Sequence, residues 1–141
     1  MDAPSEDIKD VLVAGGIGTF AATTGWCISI GLATDITDSM IILYDTTGGS
    51  PVICFDKTVA EMERAGLMIH VRAFGYKTAH TKLMAIMTLL GNLYREHWTA
   101  LNNSDTYYQV ISRQGNPMSL GQDDRGRDLW SVNYRVARNK Q

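Results

Sequence analysis

"LMIHVRAFGYKTAHTKLMAIMTLLGNL" runs from Leu67 to Leu93. Its first part alternates. Leu67, Ile69, Val71 and Ala73 point one way; Met68, His70, Arg72 and Phe74 point the other, which is the period of a strand. After Gly75 the period changes. Ala79, Leu83, Ile86, Leu90, Leu93 and Tyr94 follow at steps of four, three, four, three and one and form one apolar stripe of a helix. Met84 and Met87 widen that stripe, Thr78 is placed to cap the start, and the helix frays near Arg95. A strand that feeds directly into an amphipathic helix is the unit around which the rest is arranged.

Upstream, "SMIILYDTT" predicts a strand from Met40 to Tyr44 that is apolar on both faces and therefore central. "WCISIGLA" (Trp26–Ala33) predicts another, with Trp26, Ile28 and Ile30 on one face, and "DITD" marks a turn between the two. Val52 to Phe55 reads as a short strand that pairs as a hairpin through "DTTGGSP". Residues 57–66 lack a clean period and read as an exposed loop or a single helical turn. At the start, Pro4-Ser5-Glu6-Asp7 opens a helix with Ser5 as N-cap, acidic residues in the first turn, and Ile8, Val11 and Leu12 facing inward. Gly15-Gly16 ends it, and "GIGTFAATTG" is a loose connection.

Downstream, Tyr107 to Arg113 alternates, with Tyr108 and Val110 on one face. Leu129 to Ala137 puts Trp130, Val132, Tyr134 and Val136 on one face. "GNPMSLGQDDRGR" (115–127) reads as a long loop with turn signals at Asn116-Pro117 and Asp124-Arg125-Gly126. Helices and strands segregate instead of alternating. The fold class is therefore α+β, a single domain over residues 1–141 with a mainly antiparallel sheet packed against two helices.

Composition bounds the function. A chain of 141 residues with 45% hydrophobic residues builds one core without a metal or disulfide. The net charge of −2 provides no global basic field for nucleic acid. Cys27 and Cys54 fit no metal spacing and read as buried reduced thiols. The acidic start "MDAPSEDIKD" does not read as a signal peptide and no run is long enough to span a membrane, so a cytosolic, non-membrane protein is expected. Asp45-Thr46-Thr47-Gly48-Gly49 lacks the lysine and following helix of a phosphate loop. Gly15 to Gly18 follows a helix, whereas a dinucleotide fingerprint follows a strand. His70, His80 and His97 are scattered and no cofactor is expected; His80 falls beside Lys77 and Lys82 on the polar side of the second helix. A nucleophilic pairing of Cys27 or Cys54 with His70 stays open, although both thiols sit in apolar strands, where burial makes them inert. Arg113, Arg125, Arg127, Arg135 and Arg138 fall on or beside the last two strands, among Asp123, Asp124 and Asp128 and near Tyr107, Tyr108, Trp130 and Tyr134. That mixed pattern suits a surface of paired charges between proteins, or a wet sheet rim, better than a phosphate track.

The order "DIKDVLVAGGIGT", "IILYDTTGG", "LMIHVRAFGYKTAHTKLMAIMTLLGNL" and "YYQVISRQGNPMSLGQDDRGRDLWSVNYRV" resembles the tail terminator (minor capsid, tail completion) proteins of long-tailed bacteriophages, from about Asp7 to Val136. Three parts carry the likeness: Tyr44-Asp45-Thr46 with its glycines, Val71-Arg72 ahead of Tyr76 and Ala79, and Gly121 through Asp124-Arg125-Gly126-Arg127 into Trp130-Ser131-Val132-Asn133-Tyr134. The family often has a proline before the strand ending in Val-Arg, where Ala65-Gly66 stands here. The resemblance implies no enzyme. It implies a virion protein, made in the host cytoplasm, whose copies (typically six) form a ring on the tail tube. Such a ring stops tube polymerisation and joins the major tail tube protein to the head connector, while genomic DNA passes through the lumen without specific binding. The loops expected to meet other subunits are 45–51, 56–66 and 114–127, with Asp45, Thr46, Arg113, Asp123, Asp124, Arg125, Arg127 and Arg135 as the contact residues. A head–tail stopper is the alternative within that class. A small enzyme using a cysteine, or a nucleic-acid module on the last strand, is the alternative outside it.

Overall fold

The computed structural model describes residues 2–50, 62–93 and 106–140. The elements in chain order are α1 (Pro4–Ala14), β1 (Thr19–Phe20), β2 (Cys27–Ile30), β3 (Met40–Thr46), β4 (Glu63–Ala73), α2 (Tyr76–Asn92), β5 (Thr106–Gln122) and β6 (Asp128–Lys140). The strands form one sheet in the order β1-β2-β3-β4-β6-β5. The β1–β2 and β2–β3 pairs are parallel, and the other three are antiparallel. The α+β expectation with a mainly antiparallel sheet and two helices therefore holds for the described residues.

Both helices lie on one face of the sheet. Ile8, Val11 and Leu12 of α1 and Ala79, Leu83, Ile86 and Leu90 of α2 share a buried core with Ile41, Leu43, Leu67, Ile69, Val71, Trp130, Val132, Tyr134 and Val136. Period two in the strands and period 3.6 in α2 place these side chains at one interface. Met40 and Ile42 of β3 point to the opposite face, where they pack with Cys27. β3 is thus buried on both sides, as its doubly apolar sequence demands.

Several expectations are corrected. The strand through Val71 starts earlier, at Glu63, because residues 63–66 pair with residues 135–138 of β6. Gly66 is needed in this stretch, since a Cβ there would lie 2.3 Å from Thr46 Oγ1. Ser5 is inside α1, not its cap. Ala3 holds the cap position, and its N–H donates to Glu6 Oε2 at 3.0 Å. Thr78 is likewise within α2, whose cap is Gly75 at φ +97, a backbone angle that side chains resist. Thr19-Phe20, expected as loose chain, forms the short edge strand β1. Met84 is 43% exposed and does not join the stripe, whereas Met87 packs against the core. The expected strand at 52–55, Cys54 and His97 lie outside the described residues.

The largest correction concerns 114–122. These residues continue β5 as an outer strand antiparallel to β6. Pairing steps from Gln114↔Asn133 to Met118↔Ser131, so Gly115-Asn116-Pro117 bulges out against a single intervening residue of β6. Gly115 takes φ +78 at that point. A smaller irregularity between Tyr108 and Val110 makes Gln109 the extra residue. It reverses the phase, so Tyr108 is buried on the helix side while Val110 is exposed.

Candidate assembly surfaces

The expected contact residues fall at two ends of the sheet. At the end where β3 begins, the β5–β6 turn meets the connection between β2 and β3. Asp123 organises the turn. Its Oδ1 accepts from the backbone N–H of Arg125 (3.0 Å) and Arg127 (2.9 Å), and its Oδ2 accepts from Arg127 Nε at 2.7 Å. Arg127 then reaches Asp35 Oδ1 (2.8 Å) and Asp38 Oδ1 (3.4 Å) on the facing connection. Arg125 adds a looser pair with Asp35 at 3.6 Å. Beneath them, Arg72 of β4 donates to the carbonyls of Thr34 (2.5 Å) and Thr37 (2.7 Å). One arginine of the β5–β6 turn and one of β4 thus hold an otherwise irregular stretch.

Arg127 is only 3% exposed. Its side chain is committed within the chain, which removes it from the set of free contact residues; Asp123 is its partner. Asp124 and Arg125 remain exposed at the turn. Around them Leu32, Ile36, Phe74 and Tyr76 are exposed apolar side chains on the neighbouring segments. This end is therefore a mixed polar and apolar surface, the composition of protein interfaces.

The ion pairs leave a titration signature. The hydrogen bond from Arg127 holds the Asp35 carboxyl below its ordinary 3.8. For Asp123, desolvation pushes upward, but the hydrogen bonds from Arg127 and Arg125 outweigh it and the net direction is down. A folded value below the unfolded one contributes stability that is present above the ordinary 3.8 and is lost as pH falls through the depressed values. Residues 31–39 are therefore expected to loosen in acid before the core does. Arg127→Met is expected to produce the same loosening at neutral pH, with amide exchange in 31–39 faster by about tenfold and β6 unchanged. Equal exchange in both proteins would show that Arg127 does not hold the connection.

At the opposite end, α1 is tied down. Asp45 Oδ1 accepts from the backbone N–H of Ser5 at 3.0 Å and Oδ2 from its hydroxyl at 2.5 Å. Asp45, expected to face a partner, thus serves as a long-range cap for the helix N-terminus. Nearby, Arg138 donates to Glu63 Oε2 (2.8 Å), the Asp2 carbonyl (2.5 Å), Asp7 Oδ2 (3.3 Å) and the Tyr108 hydroxyl (3.2 Å). Tyr108 also hydrogen-bonds Asp7. Asp7 is buried and its Oδ1 has no hydrogen-bond partner among the described residues. Burial raises its pKa, against the lowering effects of Tyr108 and Arg138.

Thr46 and Arg135 share this end. Thr46 pairs with Gly66, and Gly66 with Arg135, in one row across β3, β4 and β6. Arg135 is exposed on the face away from the helices. Arg113 lies on the other face, its Nη1 3.8 Å from Met87 Sδ. Sequence reasoning missed the roles of Asp35, Asp38, Arg72 and Asp7. Only the arginine in an apolar alternation, Arg72, carried any local signal.

The cysteine–histidine pairing is not assembled for Cys27. Its thiol is buried and directed at the Ile28 carbonyl (3.8 Å), and His70 stacks edge-on with Tyr44 at 5.2 Å. Cys27 pairs with Met40, and His70 with Ile42, so a whole strand and a two-residue step separate them. His80 packs against the Trp130 ring at 4.8 Å instead of standing on the polar side of α2. Among the described residues no group of three His, Cys, Asp or Glu side chains is placed to hold a metal ion, and no helix is long and apolar enough to cross a membrane.

Comparison with known proteins completes the picture. The profile of a family described as bacteriophage tail terminator protein matches residues 10–140, nearly the whole chain and all of the sheet. No curated protein matches it.

Proposed function

Because this chain belongs to the bacteriophage tail terminator family, a family of structural phage tail proteins, we propose that its copies close into a ring on the head-proximal end of the tail tube. The ring stops tube growth and offers its other side to the head connector. The observation that carries this reading is the extent of the family match, which takes in every strand of the sheet and the region of both described ends. The unlike chemistry of those ends supports it. A ring of one kind of chain needs two different, complementary surfaces on each copy, and a cap between tube and connector needs two faces. Exposed apolar side chains with Asp124 and Arg125 occupy one end, and Arg135 and Thr46 the other. The net charge of −2 suits a lumen through which DNA passes without being gripped.

The test is tube length. Tail tube protein polymerised with this chain is expected to give tubes of limited length with ring density at one tip. Tubes that grow equally long with and without it, and carry no added density, would overturn the reading.

A further inference from the structure

The helix-free face of β4, β6 and β5 carries a groove of about 460 Å³. Arg64 and Arg135 line it, with Gln109, Ser112 and Gln114 beside them and Val110 at the edge. The two arginines sit on adjacent strands one step apart, since Arg64 pairs with Ala137 and Arg135 with Gly66. Both are exposed, and neither side chain has an ion pair or hydrogen bond among the described residues. Every other arginine in β4 and β6 is engaged: Arg72 by backbone carbonyls and Arg138 by Glu63, Asp7 and Tyr108. Two guanidiniums side by side repel each other and, among the described residues, offer many unmet donors. Such a groove is built to receive carboxylates or another dense acceptor.

The complementary surface is at the other end of the same sheet. Asp35, Asp38, Asp123 and Asp124 stand there against Arg125, Arg127 and Arg72, a surplus of negative charge. Asp124 is exposed and has no side-chain partner among the described residues. The Asp35 and Asp38 side chains keep 68% and 52% exposure, although each is bonded through one oxygen. From Asp128 to Arg135 along β6 is roughly 23 Å at strand rise. The acidic turn therefore cannot fold back into its own groove, and any pairing of the two must be between copies.

We propose that the Arg64–Arg135 groove receives the Asp124 turn of a second copy of this chain. The contact is head-to-tail, so each copy uses both surfaces and the arrangement closes as a ring if the rotation permits. This rests on the ring reading above and names the surfaces that form it. Charges of this kind steer the approach and fix the register, and the contact weakens with added salt.

The experiment compares particle mass in solution, with and without tube protein, for wild type and three variants. Arg64→Glu with Arg135→Glu, and separately Asp124→Lys, are each expected to weaken ring formation at least about tenfold. All three substitutions together restore the opposite-charge pairing and are expected to recover most of the association. The altered side chains are exposed and have no side-chain partner among the described residues, so the melting midpoint of the single copy is expected to stay unchanged. Wild-type rings that survive the double arginine variant, or no recovery in the triple variant, overturn the inference and leave the ring reading intact. Unaltered rings with loss of salt-sensitive duplex DNA binding also overturn it and assign the groove to nucleic acid. A wild type that stays single both alone and on tube ends overturns the two together.

Discussion

Arg138→Met is expected to destabilise the fold by about 3–5 kcal/mol, lowering Tm by roughly 10–17 °C for a chain of this size. The change removes the cation and leaves Asp7 buried with Tyr108 as its remaining side-chain hydrogen-bond partner among the described residues. Arg138 is 4% exposed and bridges four segments: the start of the chain, α1, β4 and β5. The loss depends on pH in a definite sense. Asp7 already has a folded pKa raised above the ordinary 3.8, mainly by burial. The folded state thus holds that proton more tightly than the unfolded state, and stability falls as pH rises from the ordinary value through the raised one. Without Arg138 the folded value rises further, so the penalty is small in acid and grows toward neutral pH. Adding Asp7→Asn to Arg138→Met removes the stranded charge and is expected to recover part of the loss at neutral pH. Thermal melts across pH measure both effects, and a flat penalty from acid to neutral would show that Asp7 is not the group left uncompensated.

The second large effect is in the core. Leu83 is fully buried between α2 and the sheet, and Leu83→Ala is expected to cost about 2–5 kcal/mol through lost burial and the cavity left behind. Met84, its immediate neighbour, provides the control. Its side chain is exposed, so Met84→Ala is expected to stay within about 0.5 kcal/mol. Denaturant midpoints of the two variants decide the matter. Equal losses would mean that the face of α2 turned to the sheet is not the one described.

That contrast shows how far sequence periodicity reaches. The α2 stripe, the alternation of 67–73, the doubly buried β3 and the inward face of β6 were all legible, because burial on one face imposes a repeat of 3.6 or 2. The extension of β5 was not. Glycine and proline at 115–117 look like a turn from within the chain, and only the ladder with β6 reveals a bulged strand. The helix starts were misjudged for a related reason: the acceptor that serves Ser5 is Asp45, forty residues away in sequence. The expected contact residues did not show their roles within the chain. Arg125 and Arg127 look equivalent in the sequence. Partners 89 and 92 residues upstream take Arg127 into the protein and leave its neighbour outside. A repeat identifies the face on which a side chain lies; it is silent on what folds over that face.

The bulge at Gly115-Asn116-Pro117 has its own consequence. A straight outer strand as long as the 17 residues of β5 would show a continuous row of unused amides and carbonyls, an invitation to endless stacking into fibres. Register breaks at Tyr108/Val110, Gln114/Met118 and Ser119/Gly121, the middle one with a proline that has no N–H to give, divide that row into short stretches. An edge divided in this way is a poor template for a strand from another copy.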